Sequence, residues 1–425
     1  VIARLPRFPY AYLMAALAFV VLIAAAGVRS SPTMLIQPLQ AEFHWTTATI
    51  SAAIALNLLL FGLIGPFAAG LFERFGLRRT VAGALGLMAA GAATSVFMTQ
   101  SWQFLLLWGA VVGVGTGSVG LVVGATIVNR WFESNRGTVM GLLTASNATG
   151  QLIFLPIFGL LIARTGWRAE VLCIAAVCAA LAVAVFLLLR EYPSDLNLPM
   201  LGASAVVVPT RVPGNPFLNA LRALRDGLRT RDFWLLGGSF FICGASTNGL
   251  IGTHFVPFCG DHGIPEVRAA GFLAAMGFCD LIGTTASGWL SDRYSSRWLL
   301  FWYYGLRGLS LLYLPSAFGI AGIGLPIFTI FYGLDWIATV PPTLKLATNR
   351  FGRARAPMMF GWMFTGHQLG ASAIALLAGL IRTSVGTYDS AFVLSGLLCM
   401  IAAIMVLFVG RTAATPAPLA AAPAA

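Results

Sequence analysis

The chain has 425 residues, of which 58% are apolar and only 9% charged, with a net charge of +12 and a mean hydropathy of +0.86. A soluble domain carries about 25% charged residues, so this composition cannot cover a surface in water and the solvent is lipid. The positive balance does not point to nucleic acid, because the basic residues sit in short clusters between apolar runs, where they orient a chain in a bilayer.

With about 20 residues needed to cross the hydrocarbon, six apolar runs are predicted at roughly 11–37, 46–72, 80–99, 102–128, 137–163 and 168–190. The first is too long for the apolar region of a signal peptide and is read as a span. The fourth contains GAVVGVGTGSVG (109–120). No strand precedes it, so it is read as small residues for close helix packing and not as a phosphate loop. A polar stretch at 191–231 follows, then six more runs near 232–258, 267–290, 298–316, 319–345, 357–381 and 390–410. This is an all-α membrane protein of twelve transmembrane helices in two six-helix, pseudo-symmetric bundles. The expected divisions are 1–190, a linker at 191–231, 232–411, and a disordered Ala/Pro-rich tail at 412–425.

Within the linker, Phe217, Leu221, Leu224 and Leu228 recur at helical spacing with Arg222, Arg225 and Arg229 on the other side. That pattern predicts a short amphipathic helix lying on the inner membrane surface. With both termini placed in the cytoplasm, 20 of the 26 basic residues fall on that side, and only Arg164, Arg168, Arg268 and Arg382 fall outside. The asymmetry sets the orientation. Arginine supplies 25 of the 26 basic residues, a bias that fits a GC-rich bacterial genome, and the expected location is the bacterial inner membrane. The six cysteines form no C-x-x-C pair and are read as small apolar packing residues. No metal site and no cofactor is expected.

The segment Asn129–Gly150 reappears in outline 220 residues later as Asn349–Gly370. Asn129/Asn349, Arg130/Arg350, Gly141/Gly361 and Gly150/Gly370 coincide without a gap. Both copies join the end of one run to the start of the next at half-chain spacing, the sign of a doubled transporter.

GPFAAGLFERFGLRR (65–79) and SGWLSDRYSSR (287–297) resemble the loop signature of the major facilitator superfamily. Glu73 and Asp292 take its acidic position, followed by Arg74 and Arg293. The resemblance implies a cytoplasmic gate in which these residues clamp helix ends while the outside is open. RWFESNRGTVMGLLTASNATGQLIFLP (130–156), GTHFVPFCGDHGI (252–264) and GFCDLIGTTASGWLSDR (277–293) are similar to monocarboxylate and oxalate/formate transporters. They imply a carrier of small organic anions.

Ionisable groups at bilayer depth are costly unless paired or wet, so each is a candidate. Arg29, before Ser30 and Ser31, takes a place similar to a lysine of monocarboxylate carriers, and its fork suits a carboxylate. The resemblance makes His254 and His367 substrate contacts. Repeat symmetry sets Asn147 opposite His367, with Gln151 one turn on. Asp280 stands where the monocarboxylate family has an acid, but the arginine found four residues later is here Thr284, which leaves Asp280 as the candidate for proton coupling. Arg307 and Asp335 are expected to form a structural ion pair between neighbouring helices.

No Walker, H-E-x-x-H or G-x-S-x-G motif occurs, so neither an ATP-driven pump nor an intramembrane enzyme is expected. The expected protein is a monomeric secondary transporter that moves a small organic anion by alternating access, with protons or by anion exchange. The alternative is an efflux carrier for hydrophobic or cationic compounds.

Overall fold

A computed structural model describes residues 10–134, 136–206, 215–319, 322–352 and 356–410. The tail at 412–425 lies outside the described residues. Among the described residues the helices group into twelve successive spans. Span 1 is Tyr10–Ser30 continued by Pro32–Phe43, span 2 is Thr47–Phe75 and span 3 is Leu77–Ser95. Span 4 is built in pieces, Ser101–Phe104, Leu105–Val112, Gly113–Ser118 and Leu121–Trp131. Span 5 is Arg136–Thr165 and span 6 is Trp167–Leu188. A connecting helix, Pro216–Leu228, leads to span 7, which runs as Arg231–Gly244, Ala245–Ile251 and Gly252–Asp261. Span 8 is Glu266–Arg293, span 9 Ser296–Ala317, span 10 Gly324–Asp335 and Val340–Phe351, span 11 Ala356–Val385 and span 12 Asp389–Val406. Among the described residues, nine of these spans are apolar and long enough to cross a bilayer by composition alone. Spans 3, 5 and 9 complete the set with 19, 30 and 22 residues.

Several spans break where the local sequence requires it. Pro32 lacks an N–H and starts a new helix after Ser31, so span 1 is interrupted just beyond Arg29. The Thr46 hydroxyl caps span 2 by accepting the Thr49 amide at 3.2 Å. Gly76, at φ +86°, turns the chain between spans 2 and 3 in a conformation closed to residues with a β-carbon. Span 10 stops at Asp335 and restarts at Val340, immediately before Pro341 and Pro342.

Glycines set the spacing inside the first half. Gly109, Gly113 and Gly117 recur every four residues and form one face of span 4 against span 2. A β-carbon on Gly113 would stand 3.0 Å from Asn57 Cα, and one on Gly117 would stand 3.0 Å from the Leu60 carbonyl oxygen. Within the widened turn at Leu105–Val112, Asn57 Nδ2 donates to the Trp108 carbonyl at 2.8 Å. A widened turn loosens the backbone ladder, and the amide side chain supplies a partner.

The two sets of six meet along three lines. Spans 2 and 11 touch from Ser51 and Gly379 at one end to Phe67 and Trp362, 5.7 Å apart between ring centroids, at the other. Midway, Thr365 Oγ1 donates to the Gly62 carbonyl at 3.0 Å. Spans 1 and 7 meet at the end remote from the connecting helix, where Thr33 Oγ1 donates to the Thr253 carbonyl at 2.8 Å. Spans 5 and 8 meet at that same end, with Gly159 against Val267 and Ala270.

Gly117→Leu is expected to separate spans 2 and 4 and destabilise the protein by about 1–3 kcal/mol, the usual cost of overpacking. Gly83→Leu, where a β-carbon meets nothing within 4 Å, is expected to be neutral. Thermal unfolding of the two variants in detergent makes the comparison.

Candidate functional site

Arg29 stands late in the first helix of span 1, half-buried, with its guanidinium 4.7 Å from the centroid of the Phe61 ring in span 2. That is cation–π distance. Phe61 in turn meets Phe364 of span 11 edge-on at 5.9 Å. Phe364 stacks on His367 at 5.6 Å, and His367 leans on Phe240 of span 7 at 4.8 Å. A row of rings therefore runs from the Arg29 cation in the first half across the seam into the second. His367 is buried, and its Nδ1 has no hydrogen-bond partner among the described residues.

Gln368, the next residue, is 1% exposed, and neither its amide oxygen nor its amide nitrogen has a partner among the described residues. It packs against Gly62. An unmet buried amide costs about 1–3 kcal/mol, so its presence at the seam between halves marks a place where a polar partner belongs. Sequence reasoning passed over Gln368 because an amide carries no charge, although it adjoins His367.

His254 does not join this row. Its Nε2 donates to the Ala375 carbonyl at 2.8 Å, and its Nδ1 lies 3.3 Å from the Tyr388 hydroxyl. It is fully buried. With Nε2 committed to a carbonyl, Nδ1 is left to accept from the tyrosine. Both nitrogens fasten span 7 to span 11 and to the residue before span 12. The side chains of Asn147 and Gln151 lie outside the described residues.

Asp280 and Asp335 meet at one place. The gap in span 10 at 336–339 leaves backbone groups that a continuous helix would satisfy. Arg307 of span 9 supplies them: Nη2 donates to the carbonyls of Asp335 and Trp336, the latter at 3.1 Å, while Nε pairs with Asp335 Oδ2 at 2.7 Å. Asp280 of span 8 accepts the Ile337 amide and the Thr284 hydroxyl, each at 2.8 Å, on the same oxygen, Oδ1. Ser287 donates to the Ala338 carbonyl. Arg307 Nη1 lies 2.9 Å from Cys243 Sγ, which is 3.3 Å from Thr339 Oγ1. Cys243, expected only as a packing residue, thus makes polar contacts in the same network. Thr284, where the sequence resemblance implies arginine, binds Asp280 directly.

Of the gate residues, the side chains of Glu73 and Asp292 lie outside the described residues. Arg74 lies over the Phe75 ring at 5.4 Å, and Arg293 lies over the Trp289 ring at 3.9 Å. The charge pairs that the structure does show at this end belong to the repeat. Arg130 pairs with Glu191 at 2.9 Å, and Arg350, its match 220 residues on, pairs with Asp232. Glu191 also accepts the amides of Leu77 and Arg78 at 2.8 and 2.9 Å, capping span 3 with a carboxylate. Asp232 likewise accepts the Gly410 amide at 2.9 Å. At the opposite end Glu42 grips Arg168 with both oxygens and accepts from Trp167 Nε1 at 2.7 Å. Arg382 makes the same two-oxygen contact with Asp261. The matched Asn-Arg pairs were the sequence signal for the first two bridges; their carboxylate partners carry no repeat mark.

A small cleft between spans 1, 5 and 6 is lined by Ala24, Gly27, Phe154, Phe158, Ile174 and Cys178. All are apolar or weakly polar, so this cleft cannot hold an anion. Glu170 of span 6 is fully buried with neither carboxyl oxygen hydrogen-bonded among the described residues, another group that the sequence left unmarked.

Two sets of six spans, breaks inside the spans, and polar residues gathered near the seam define a membrane carrier. The chain matches the sequence model of the Major Facilitator Superfamily over residues 17–344 and 269–424, and it belongs to that family. It is 23% identical over 409 residues to an uncharacterized MFS-type transporter, YcxA, of Bacillus subtilis (strain 168), covering 93% of this chain and 91% of that one. To monocarboxylate transporter 13 of Bos taurus it is 27% identical over 361 residues, covering 84% of this chain and 79% of the relative. Among solved structures, the inward open conformation of the xylose transporter XylE from E. coli aligns with a TM-score of 0.71 at 14% identity, over 94% of this chain and 96% of that one. A bacterial homolog of the human lysosomal transporter Spinster, inward-facing and unoccupied, aligns with a TM-score of 0.70 at 15% identity, over 95% and 96%. These likenesses establish the fold.

The Arg307 network sets a stability test. Arg307→Met leaves Asp335 buried without its cation and is expected to cost about 3–5 kcal/mol. The double variant Arg307→Met with Asp335→Leu is expected to recover only part of this, because the Asp335 and Trp336 carbonyls still lose their donor. Exchanging the two charges is expected to fail for the same reason. Unfolding midpoints of the single, double and exchanged variants decide it: full recovery in the exchanged protein would reduce the network to a simple ion pair.

Proposed function

We propose that this chain is a secondary transporter that moves a small organic anion of the monocarboxylate kind across the cytoplasmic membrane by alternating access. The observation that carries the reading is Arg29, a guanidinium at span depth held over Phe61, where the first half meets Phe364 of the second. A carboxylate reaching Arg29 would meet the row of rings that leads across the seam to His367, whose Nδ1 lacks a partner among the described residues, and to its neighbour Gln368, whose amide lacks one too. Arginine offers paired donors to a carboxylate, and a dry setting strengthens that contact. The similarity to a monocarboxylate transporter over 84% of the chain supports the same substrate class.

The two bundles, 1–190 and 232–411, would rock about a midplane site. The arginine-rich end, with the connecting stretch 191–231, is assigned to the cytoplasm. Spans 1 and 7 and spans 5 and 8 touch at the opposite end, which fits an inward-open arrangement. Coupling is assigned to Asp280. Its network holds two carboxyl groups, Asp280 and Asp335, against the single guanidinium of Arg307, so one further positive charge balances it. A proton on Asp280 supplies that charge; its loss would tighten the hold of Oδ1 on the Ile337 amide and the Thr284 hydroxyl at the gap in span 10 and leave a buried negative charge unbalanced.

Proteoliposome uptake of labelled small monocarboxylates tests the reading. Arg29→Gln is expected to raise KM by about tenfold or more, the worth of one charged hydrogen bond, and Arg29→Lys is expected to retain part of the uptake. Asp280→Asn is expected to abolish acceleration by an inward proton gradient while leaving exchange of anion for anion. Unchanged carboxylate uptake in Arg29→Gln, or uptake of cations in its place, would overturn the assignment.

A further inference from the structure

The connecting helix does not lie apart from the bundles. Phe217 packs on span 2: its ring carbons stand 3.1–3.3 Å from the position of a β-carbon on Gly70, and it stacks on Phe67 at 6.0 Å. Three residues on, the Ala220 carbonyl accepts from Trp362 Nε1 of span 11 at 2.8 Å. Gly227 closes against Met359 of span 11 and Phe233 of span 7. Residues 217, 220 and 227 share one face of a helix, and that face straddles the seam between the halves.

The rest of the helix is left uncovered. Leu218, Leu221 and Leu228 are 48%, 48% and 42% exposed, and Arg222, Arg225 and Arg229 are exposed beside them. Asp226 is the one acidic residue of the helix, so the surface carries a net charge of about +2. The helix packs at the level where spans 2 and 11 approach their ends, near Gly70 and Met359, and the ends of membrane spans are where headgroups are expected. Leucines directed at the acyl boundary with arginines at headgroup height match an anionic lipid surface in both polarity and charge.

We propose that the connecting helix is a strap bound by anionic phospholipid, with Arg222, Arg225 and Arg229 on the headgroup phosphates and Leu218, Leu221 and Leu228 at the acyl boundary. Lipid held there seats Phe217 and Ala220 on the span 2–span 11 seam, so that the anionic content of the membrane sets how readily the halves move. The lipid site stands independently of the substrate; its effect on rate rests on the transport reading above.

The test uses the full chain in nanodiscs of phosphatidylcholine alone or with phosphatidylglycerol, without any substrate. Spin-labelled phosphatidylglycerol is expected to be immobilised roughly threefold or more in preference to spin-labelled phosphatidylcholine, and phosphatidylglycerol is expected to raise the unfolding midpoint. In the triple variant Arg222→Gln, Arg225→Gln, Arg229→Gln, whose side chains are all exposed, the preference is expected to fall towards one. Phe217→Ala is expected to keep the lipid preference and lose the rise in midpoint, because the strap then binds lipid without gripping span 2. Undiminished preference in the triple variant would overturn the proposal. So would inorganic phosphate at millimolar concentration reproducing the stabilisation, since the surface would then read free anions and not a lipid layer. Both readouts are blind to the transported species, so failure here leaves the transport reading untouched.

Discussion

Lipid offers no hydrogen bonds, so every interruption of a helix inside a membrane must be repaired by the protein itself. The second half of this chain is organised around one such repair. Between Asp335 and Val340 the tenth span opens, and side chains from three other spans close on the freed groups: Arg307 on two carbonyls, Asp280 on an amide, Ser287 on a third carbonyl, and Cys243 beside Thr339. Remove the gap and these residues would have no reason to be buried together. Keep the gap without them and the span would not be stable at that depth. The network also gives Asp280 partners in place of the arginine that the sequence resemblance implies four residues on. Thr284 and the Ile337 amide donate to it, while Arg307 of span 9 pairs with Asp335 beside it.

The same economy appears at the ends of the spans. Each half uses an arginine at the close of its fourth helix, Arg130 or Arg350, to hold a carboxylate that also caps free backbone amides. In the first half the carboxylate follows the sixth span and caps the third. In the second it opens the seventh span and receives the amide that follows the twelfth. The arginine is duplicated and its partner is not, so the halves share a fastening principle while differing in what they fasten.

This contrast explains what was readable in the amino-acid sequence. Apolar runs of about 20 residues announce the spans, because few other structures tolerate them. Arg29, Arg307 and Asp335 stand out because an ionic group within such a run is rare. The gap in span 10 carries a signal in Pro341 and Pro342, but the run 319–345 reads as continuous since its hydropathy does not change there. The partners of His254 could not be anticipated: one is a backbone carbonyl, and the other, Tyr388, lies 134 residues away. In the connecting helix the spacing of Phe217, Leu221, Leu224 and Leu228 announces a helix, yet Leu218, Leu221, Leu224 and Leu228 occupy a single arc of about a third of its circumference together with Phe217. Only packing decided that Phe217 turns to the seam and that Leu218, Leu221 and Leu228 are left outward.

Gly62 sits midway along the line where spans 2 and 11 touch. Its missing side chain lets Gln368 press against the backbone while Thr365 binds the Gly62 carbonyl. Contact at this closeness continues from Ser51 and Gly379 to Phe67 and Trp362, and so passes through most of the membrane thickness. Two stiff bodies joined along such a line keep one inexpensive freedom, to roll about it, and lose the freedom to draw apart. On the transport reading proposed above, the seam would serve as an axle. A bulkier residue at Gly62 would move the axis itself, and with it the extent to which each end of the protein can open.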